Sequence, residues 1–331
     1  KSLIDIEVIS FKHIFNFGLF LYTPDIAAWL NENISHYDII HLHNLRSYQS
    51  AIVCKYATEF NIPYIIQPHG TLPRMVEKKS LKKLFDLVWG DDILKHASKI
   101  IAVSEIEREQ FRQNKIPEEK IAMIPNGIEY ISTTDLPTPG QFREEYNIND
   151  NSIILYVGRI HKRKGIDFLI YAFDRLIRRY SRNDITLVII GPDDGYRSTL
   201  EKIVDELDLA TKVMFLGFIP SLTTAYYDAD VLAYPSTNEI FGLVPFEALM
   251  HGTPVIVTDD CGCGDIIQKV GCGYIVKYGD VSGLSESLRC ALNHERLNDE
   301  LIESGRRYIR EHLTWENISK KVGEVYEKIR C

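Results

Sequence analysis

The chain has 331 residues, 45% of them hydrophobic and 25% charged, with a formal net charge of −8. That is ordinary globular composition at a length of about two domains, and a core of this size needs no disulfide staples despite six Cys. The acidic balance argues against a nucleic-acid binder, and no apolar run approaches the roughly 18–20 residues that span a bilayer.

Taken in chain order, short aliphatic runs predict strands over 4–9, 39–42, 64–66, 100–103, 121–124, 153–157, 186–190, 213–216, 231–234, 254–257 and 274–276. The first follows Lys1-Ser2-Leu3 almost at once and without a Met, so the chain reads as a piece that starts mid-domain. Most runs are continuous Val/Ile/Leu, which suits strands buried on both faces of a parallel sheet. Helical patterns lie between them; one carries Ile166, Leu169, Ile170, Phe173, Leu176, Ile177 and Tyr180 on a single stripe. The alternation predicts α/β layers joined by right-handed crossovers. Asp135-Leu136-Pro137-Thr138-Pro139-Gly140 is the expected boundary, giving domains 1–137 and 138–331. Six strands follow it and about five precede it. A last helix capped by Thr314 spans 314–331, with Trp315, Ile318, Val322, Val325 and Ile329 on one stripe, expected to pack back on the first domain.

Two strings carry chemistry. Pro235-Ser236-Thr237-Asn238-Glu239-Ile240-Phe241-Gly242-Leu243-Val244-Pro245-Phe246-Glu247-Ala248 follows the strand 231–234. It therefore stands at a strand's carboxyl end, where open α/β sheets bind ligands. Gly242 permits close backbone approach, and a helix starting near Leu243 offers its first amides to an anion. Glu239 and Glu247 are natural acceptors for pairs of sugar or ribose hydroxyls. The second string is Gly158-Arg159-Ile160-His161-Lys162-Arg163-Lys164-Gly165, after the strand 153–157. Its Arg forks and Lys point charges suit a diphosphate. It satisfies neither the Walker pattern nor Gly-x-Gly-x-x-Gly, which disfavours a nicotinamide-dependent dehydrogenase.

The two strings together resemble the retaining glycosyltransferases of family 4, the glycosyl transferases group 1. Glu239 to Glu247 fits that family's Glu-x7-Glu motif, and Gly158-Arg159 with Lys164-Gly165 fits its phosphate loop. His69-Gly70, Ser104-Glu105, Asn126-Gly127-Ile128, Leu216-Gly217 and Pro254-Val255 fall in the expected order. The resemblance implies the GT-B fold, two doubly wound Rossmann-like domains facing across a cleft. It also implies transfer of a sugar, a hexose by expectation, from a nucleotide-sugar donor to a glycan or lipid-linked saccharide with retention of configuration. By that resemblance Arg159 and Lys164 hold the donor diphosphate, Glu247 accepts the ribose hydroxyls and Glu239 contacts the transferred sugar. The amides around Gly242, Leu243 and Val244 meet phosphate or sugar oxygens, and His69 reaches toward the sugar from the first domain. No cofactor and no metal are implied, and the leaving phosphate takes the acceptor proton. The nucleotide base would sit near 191–197 and Phe218. The family normally opens with a strand and a Gly-Gly loop that are absent here, so the first domain is expected to be incomplete. Asp265 stands where relatives often have Glu. A sugar-nucleotide epimerase, a phosphorylase, and a non-catalytic nucleotide-sugar-binding fragment are the alternatives.

Other features are read more plainly. Cys261, Cys263 and Cys272 lack paired C-x2-C spacing and read as ordinary thiols of a reducing cytosol. Asp228-Ala229-Asp230 spells Asp-x-Asp but directly precedes a buried strand, so it reads as structural. His41 and His43 share a strand face; they either line the cleft or are satisfied strand-end histidines. The stretch 74–89 sets Arg74, Lys78, Lys79, Lys82 and Lys83 against Glu77 and interleaves Leu81, Leu84, Phe85, Leu87, Val88 and Trp89. It is either a basic amphipathic helix for anionic lipid headgroups or a solvated face over an apolar contact. The expected location is cytoplasmic, peripheral at the inner membrane face.

Overall fold

The computed structural model describes residues 6–17, 20–72, 79–131, 137–148, 151–293 and 295–330. The chain forms two compact units. One comprises Lys1–Ile124 with Lys320–Cys331, the other Pro125–Ser319. The units divide between Ile124 and Pro125, ahead of the proline-rich segment expected as the boundary; residues 135 and 136 lie outside the described residues.

The first unit carries an antiparallel pair, β1 (Phe15–Phe17) with β2 (Phe20–Tyr22), and a four-stranded parallel sheet. The sheet runs in chain order: β3 (Ile40–His43), β4 (Tyr64–Gln67), β5 (Lys99–Ala102) and β6 (Ile121–Met123). The expected strand over 4–9 is corrected. Residues 4 and 5 lie outside the described residues, and 6–9 form no strand. Ile6 is 78% and Val8 81% exposed, so the alternation that suggested a strand has no sheet to pack on.

The second unit is a six-stranded parallel sheet of β7 (Ser152–Val157), β8 (Ile185–Ile190), β9 (Val213–Gly217), β10 (Val231–Tyr234), β11 (Val255–Thr258) and β12 (Tyr274–Val276). Its order is β12-β11-β10-β7-β8-β9. Every residue of β8, β10 and β11 is buried. This is why their sequences are almost wholly apolar, with Thr186 and Thr258 the buried exceptions: helices cover both faces, and regular alternation would bury polar side chains. The helix Ile166–Tyr180 supplies Ile166, Leu169, Ile170, Phe173 and Leu176 to the core under one face, all of them fully buried. The chain runs outward through β7, β8 and β9, then returns to lay β10, β11 and β12 on the other side. The strand order therefore reverses between β7 and β10, and the carboxyl end of such a reversal is where a doubly wound sheet opens a crevice for ligand.

Both aspartates of the Asp-x-Asp string work at the opposite end of β10. Asp228 accepts the Gly140 and Phe142 amides at 2.7 and 2.8 Å, capping the helix Gln141–Glu145. Asp230 accepts the Ile153 amide at 2.7 Å and the Arg143 guanidinium at 2.8 Å. These are structural roles.

Candidate active site

The loops after β7 and β10 border the reversal, and backbone contacts tie them together. The Thr237 amide donates to the Arg163 carbonyl at 3.0 Å. Gly165, at φ +64°, opens the helix Ile166–Tyr180, and a Cβ there would stand 2.1 Å from the Pro235 carbonyl oxygen. Only glycine fits a left-handed position that close to another backbone. The first loop is anchored by fully buried Ile160, whose amide donates to the Pro192 carbonyl at 2.8 Å. That leaves Arg159, Lys162 and Arg163 around an otherwise fixed turn.

The two loops also meet through side chains. Lys164 Nζ pairs with Glu239 Oε2, and the Tyr234 hydroxyl donates to the same oxygen at 3.2 Å. The Lys164 and Glu239 side chains are 15% and 26% exposed. Burial, then the Glu239 charge, pushes the Tyr234 hydroxyl upward, so it stays protonated and donates. Arg159 pairs with Asp194 at 2.7 Å, but at 60% and 43% exposure. A pair so exposed is worth about 0–1 kcal/mol, so Asp194 holds the guanidinium only weakly. Gly242, at φ +84°, passes under Cys263 and Tyr234, and a Cβ would meet them at 3.0 and 3.1 Å. Leu243 caps the helix Val244–His251, which carries Pro near its start. Phe246 and Glu247 already donate to the Leu243 carbonyl at 3.0 and 3.1 Å and Pro245 has no amide, so it is the Leu243 and Val244 amides, at the positive end of the helix dipole, that favour an anion. Glu247, in that turn, is half-buried and accepts the Tyr226 hydroxyl at 2.8 Å.

The fold thus gathers Arg159, Lys164, Glu239, Gly242 and Leu243 on two loops, and Val244 and Glu247 on the helix that follows the second, at one end of one sheet. Nearby, Asp193 Oδ1 takes the Gly195, Tyr196 and Arg197 amides and starts the helix Arg197–Glu206. Phe218, directly after β9, is 73% exposed. Cys261 and Cys263 lie buried beneath the Gly242 turn with their sulfurs 3.2 Å apart, as free thiols. Among the described residues no group of three or more His, Cys, Asp or Glu side chains is arranged to hold a metal ion.

His69 belongs to the first unit, in the turn after β4, with φ +52°; Gly70 follows at +75°. Two left-handed residues in succession are costly for a non-glycine, and the surroundings hold them. Fully buried Glu107 accepts the Gly70 amide at 2.6 Å and the Val103 amide at 2.9 Å. Arg46 grips the Thr71 and Leu72 carbonyls and forms a two-pronged pair with Asp86 at 2.7 Å. Neither Glu107 nor Arg46 stood out in the sequence. A signal existed for Glu107: Ser104-x-x-Glu107 is a capping-box spacing, and Ser104 does cap the Glu107 amide at 3.2 Å.

His41, His43 and His69 form a stack. His43 Nδ1 lies 2.9 Å from His69 Nε2, and His41 Nδ1 lies 2.8 Å from the Tyr326 hydroxyl. Desolvation lowers all three; His41, further lowered by the other two, falls to about 4. Their folded pKa values lie below the unfolded 6.5, so the unfolded chain binds more protons, and stability is lost as pH falls from 6.5 toward 4. Glu107, raised by burial, opposes this between 4.5 and its raised value. Tm is therefore expected to drop between pH 6.5 and 4.5, and to drop less in His41→Asn. An equal drop in both would show that the stack does not titrate with folding.

The group 1 glycosyl transferase model matches residues 140–308, just over half of the chain. The chain belongs to this family. The description "Glycosyltransferase Family 4" matches residues 5–130 as well. An uncharacterized glycosyltransferase of Methanocaldococcus jannaschii, MJ1607, is 27% identical over 97% of this chain and 83% of its own. D-inositol 3-phosphate glycosyltransferase of Corynebacterium urealyticum is 27% identical over 93% and 75%. Among solved structures, Anabaena HepE in complex with UDP superposes with a TM-score of 0.79 at 18% identity, covering 92% of this chain and 82% of that one. Sucrose-phosphate synthase of Thermosynechococcus elongatus gives 0.76 at 25% identity, over 92% and 77%. The glycosyltransferase has the GT-B fold, with two Rossmann-like units.

Proposed function

We propose that this glycosyltransferase moves a sugar, by expectation a hexose, from a nucleotide-sugar donor to a glycan or lipid-linked saccharide and keeps the anomeric configuration. The observation that carries the reading is the Lys164–Glu239 pair at the strand-order reversal, with Glu247 on the adjoining helix. In this reading the diphosphate lies between Arg159, Lys164 and the amides of Gly242, Leu243 and Val244. Their charge stabilises the phosphate as the bond to the anomeric carbon breaks. The acceptor oxygen bonds to that carbon on the face the phosphate leaves, and a phosphate oxygen takes the acceptor proton. Retention then needs no protein nucleophile. Glu239 meets hydroxyls of the sugar and Glu247 those of the ribose. His69 is assigned to the same reaction on the resemblance alone.

HepE structures hold UDP and UDP-glucose, so UDP and its sugars lead a thermal-shift panel with the GDP and ADP counterparts. A ligand at about 100 times its Kd adds about 2.7 kcal/mol, or roughly 5–10 °C for a unit of this size. Failure of every nucleotide to raise Tm would remove the donor site from this reading. Product analysis by NMR then decides the anomer, and transfer to a saccharide separates a transferase from a binding fragment or an epimerase.

A membrane-facing role for 74–89 is part of the proposal. Residues 73–78 lie outside the described residues. Beyond them Leu84, Leu87, Val88 and Trp89 are 58%, 77%, 46% and 42% exposed, next to Lys82 and Lys83. Apolar side chains flanked by lysine suit an anionic bilayer surface. No described helix is long and apolar enough to cross a membrane. Sedimentation with phosphatidylglycerol vesicles is expected to pull down the chain, and Leu87→Glu with Trp89→Glu to abolish it. Equal sedimentation with neutral vesicles would remove the electrostatic part.

A further inference from the structure

We propose that Tyr226 is a positioning residue for Glu247, setting the carboxylate that receives the donor's ribose hydroxyls. The inference rests on the ribose reading of Glu247 given above and goes one residue further.

Glu247 is carried by a helix of only eight residues, and its backbone is held by its amide donating to the Leu243 carbonyl at 3.1 Å. Its side chain has three rotatable bonds, so a second contact must choose the carboxylate's direction. That contact is the Tyr226 hydroxyl, 2.8 Å from Oε2. Tyr226 is itself enclosed. It is 2% exposed, and its carbonyl accepts the Thr253 hydroxyl. Its ring lies 5.2 Å from that of His251, tilted by 36°. His251 Nδ1 lies 2.8 Å from the Glu247 carbonyl and must donate there, since a carbonyl only accepts. Tyr226, Glu247 and His251 thus form a closed ring of contacts in which only the Glu247 side chain bears charge. Burial and the neighbouring carboxylate raise the Tyr226 hydroxyl, so it remains a donor across the working pH range. With Oε2 engaged, the carboxylate plane is set before ligand arrives, and its remaining lone pairs meet two vicinal hydroxyls without first losing rotamer freedom.

The role differs from a packing role in what it predicts. Tyr226→Phe removes one oxygen from a buried ring and keeps its volume. Isothermal titration of the full chain with UDP, GDP and ADP, each beside its 2′,3′-dideoxy form, tests it. For the nucleotide that binds most tightly, Tyr226→Phe is expected to weaken the ribose form about tenfold and the dideoxy form by less than about twofold, the scale of one charge-assisted hydrogen bond. Glu247→Ala is expected to show the same discrimination. The double variant is expected to lose no more than Glu247→Ala alone, because the two residues act through one contact. Equal weakening of both nucleotides by Tyr226→Phe, or additive losses in the double variant, overturns the positioning role while the ribose reading stands. If Glu247→Ala itself does not discriminate ribose from dideoxyribose, both fall. Melting curves of the variants check that each is folded at the titration temperature.

Discussion

Replacing Arg159 and Lys164 together by alanine is expected to lower kcat/KM for sugar transfer by at least about 10³-fold, since one preorganised donor to a developing anion is commonly worth 10²–10³. The two residues are not equivalent. Arg159 stands in an exposed pair with Asp194, so Arg159→Ala should leave Tm nearly unchanged and act on catalysis. Lys164 is enclosed against Glu239 and lies 5.5 Å from the Tyr234 ring centroid. Lys164→Ala strands a partly buried carboxylate, which costs stability as well as rate. Kinetics and melting of the two single variants separate these effects. Transfer at the wild-type rate by the double variant would show that the basic loop does not serve the diphosphate.

Gly165→Ala is expected to lower Tm of the second unit by roughly 5–15 °C and to weaken nucleotide binding with it. The Cβ would lie 2.1 Å from the Pro235 oxygen and 3.1 Å from its carbon, with φ at +64°. Contacts that short require the two site loops to part. Left-handed strain of about 1–2 kcal/mol adds to about 1–3 for overpacking, and each kcal/mol moves Tm by about 2–4 °C at this size. Gly195→Ala is the control. Its φ is +82°, but a Cβ there meets nothing within 4 Å, so only the strain remains. If differential scanning calorimetry finds Gly165→Ala no worse than Gly195→Ala, the close approach of the loops is not what Gly165 provides.

Among the described residues, ten of the twelve strands lie where apolar runs predicted them. The plainest signals came from strands such as β8, β10 and β11, because a strand buried on both faces must be largely apolar, and that demand is local. The two basic and acidic loops were legible for the same reason, as glycine-punctuated strings directly after such strands. So was the Thr314 cap, which accepts the Asn317 amide at 3.3 Å. The misread start shows the limit of local signals. Apolar alternation over 4–9 looked like a strand, while the pair β1 and β2, each only three residues long, stayed below the reach of periodicity.

The class of fold, the family and the two loop strings could be read from local patterns along the chain. Which side chains meet across those patterns follows from tertiary packing alone. Lys164 reaches Glu239 across 75 positions, Glu107 reaches the Gly70 amide across 37, and Tyr226 reaches Glu247 across 21. None of these pairs has a spacing that announces it. The first exists because the strand order reverses between β7 and β10, the second because β4 lies beside β5, and the third because the helices before and after β10 pack on each other; strand order and helix packing are settled together on the sheet faces. Residues within one turn or strand constrain one another through backbone geometry, and sequence displays that. Residues on separate crossovers are constrained only through the packed core.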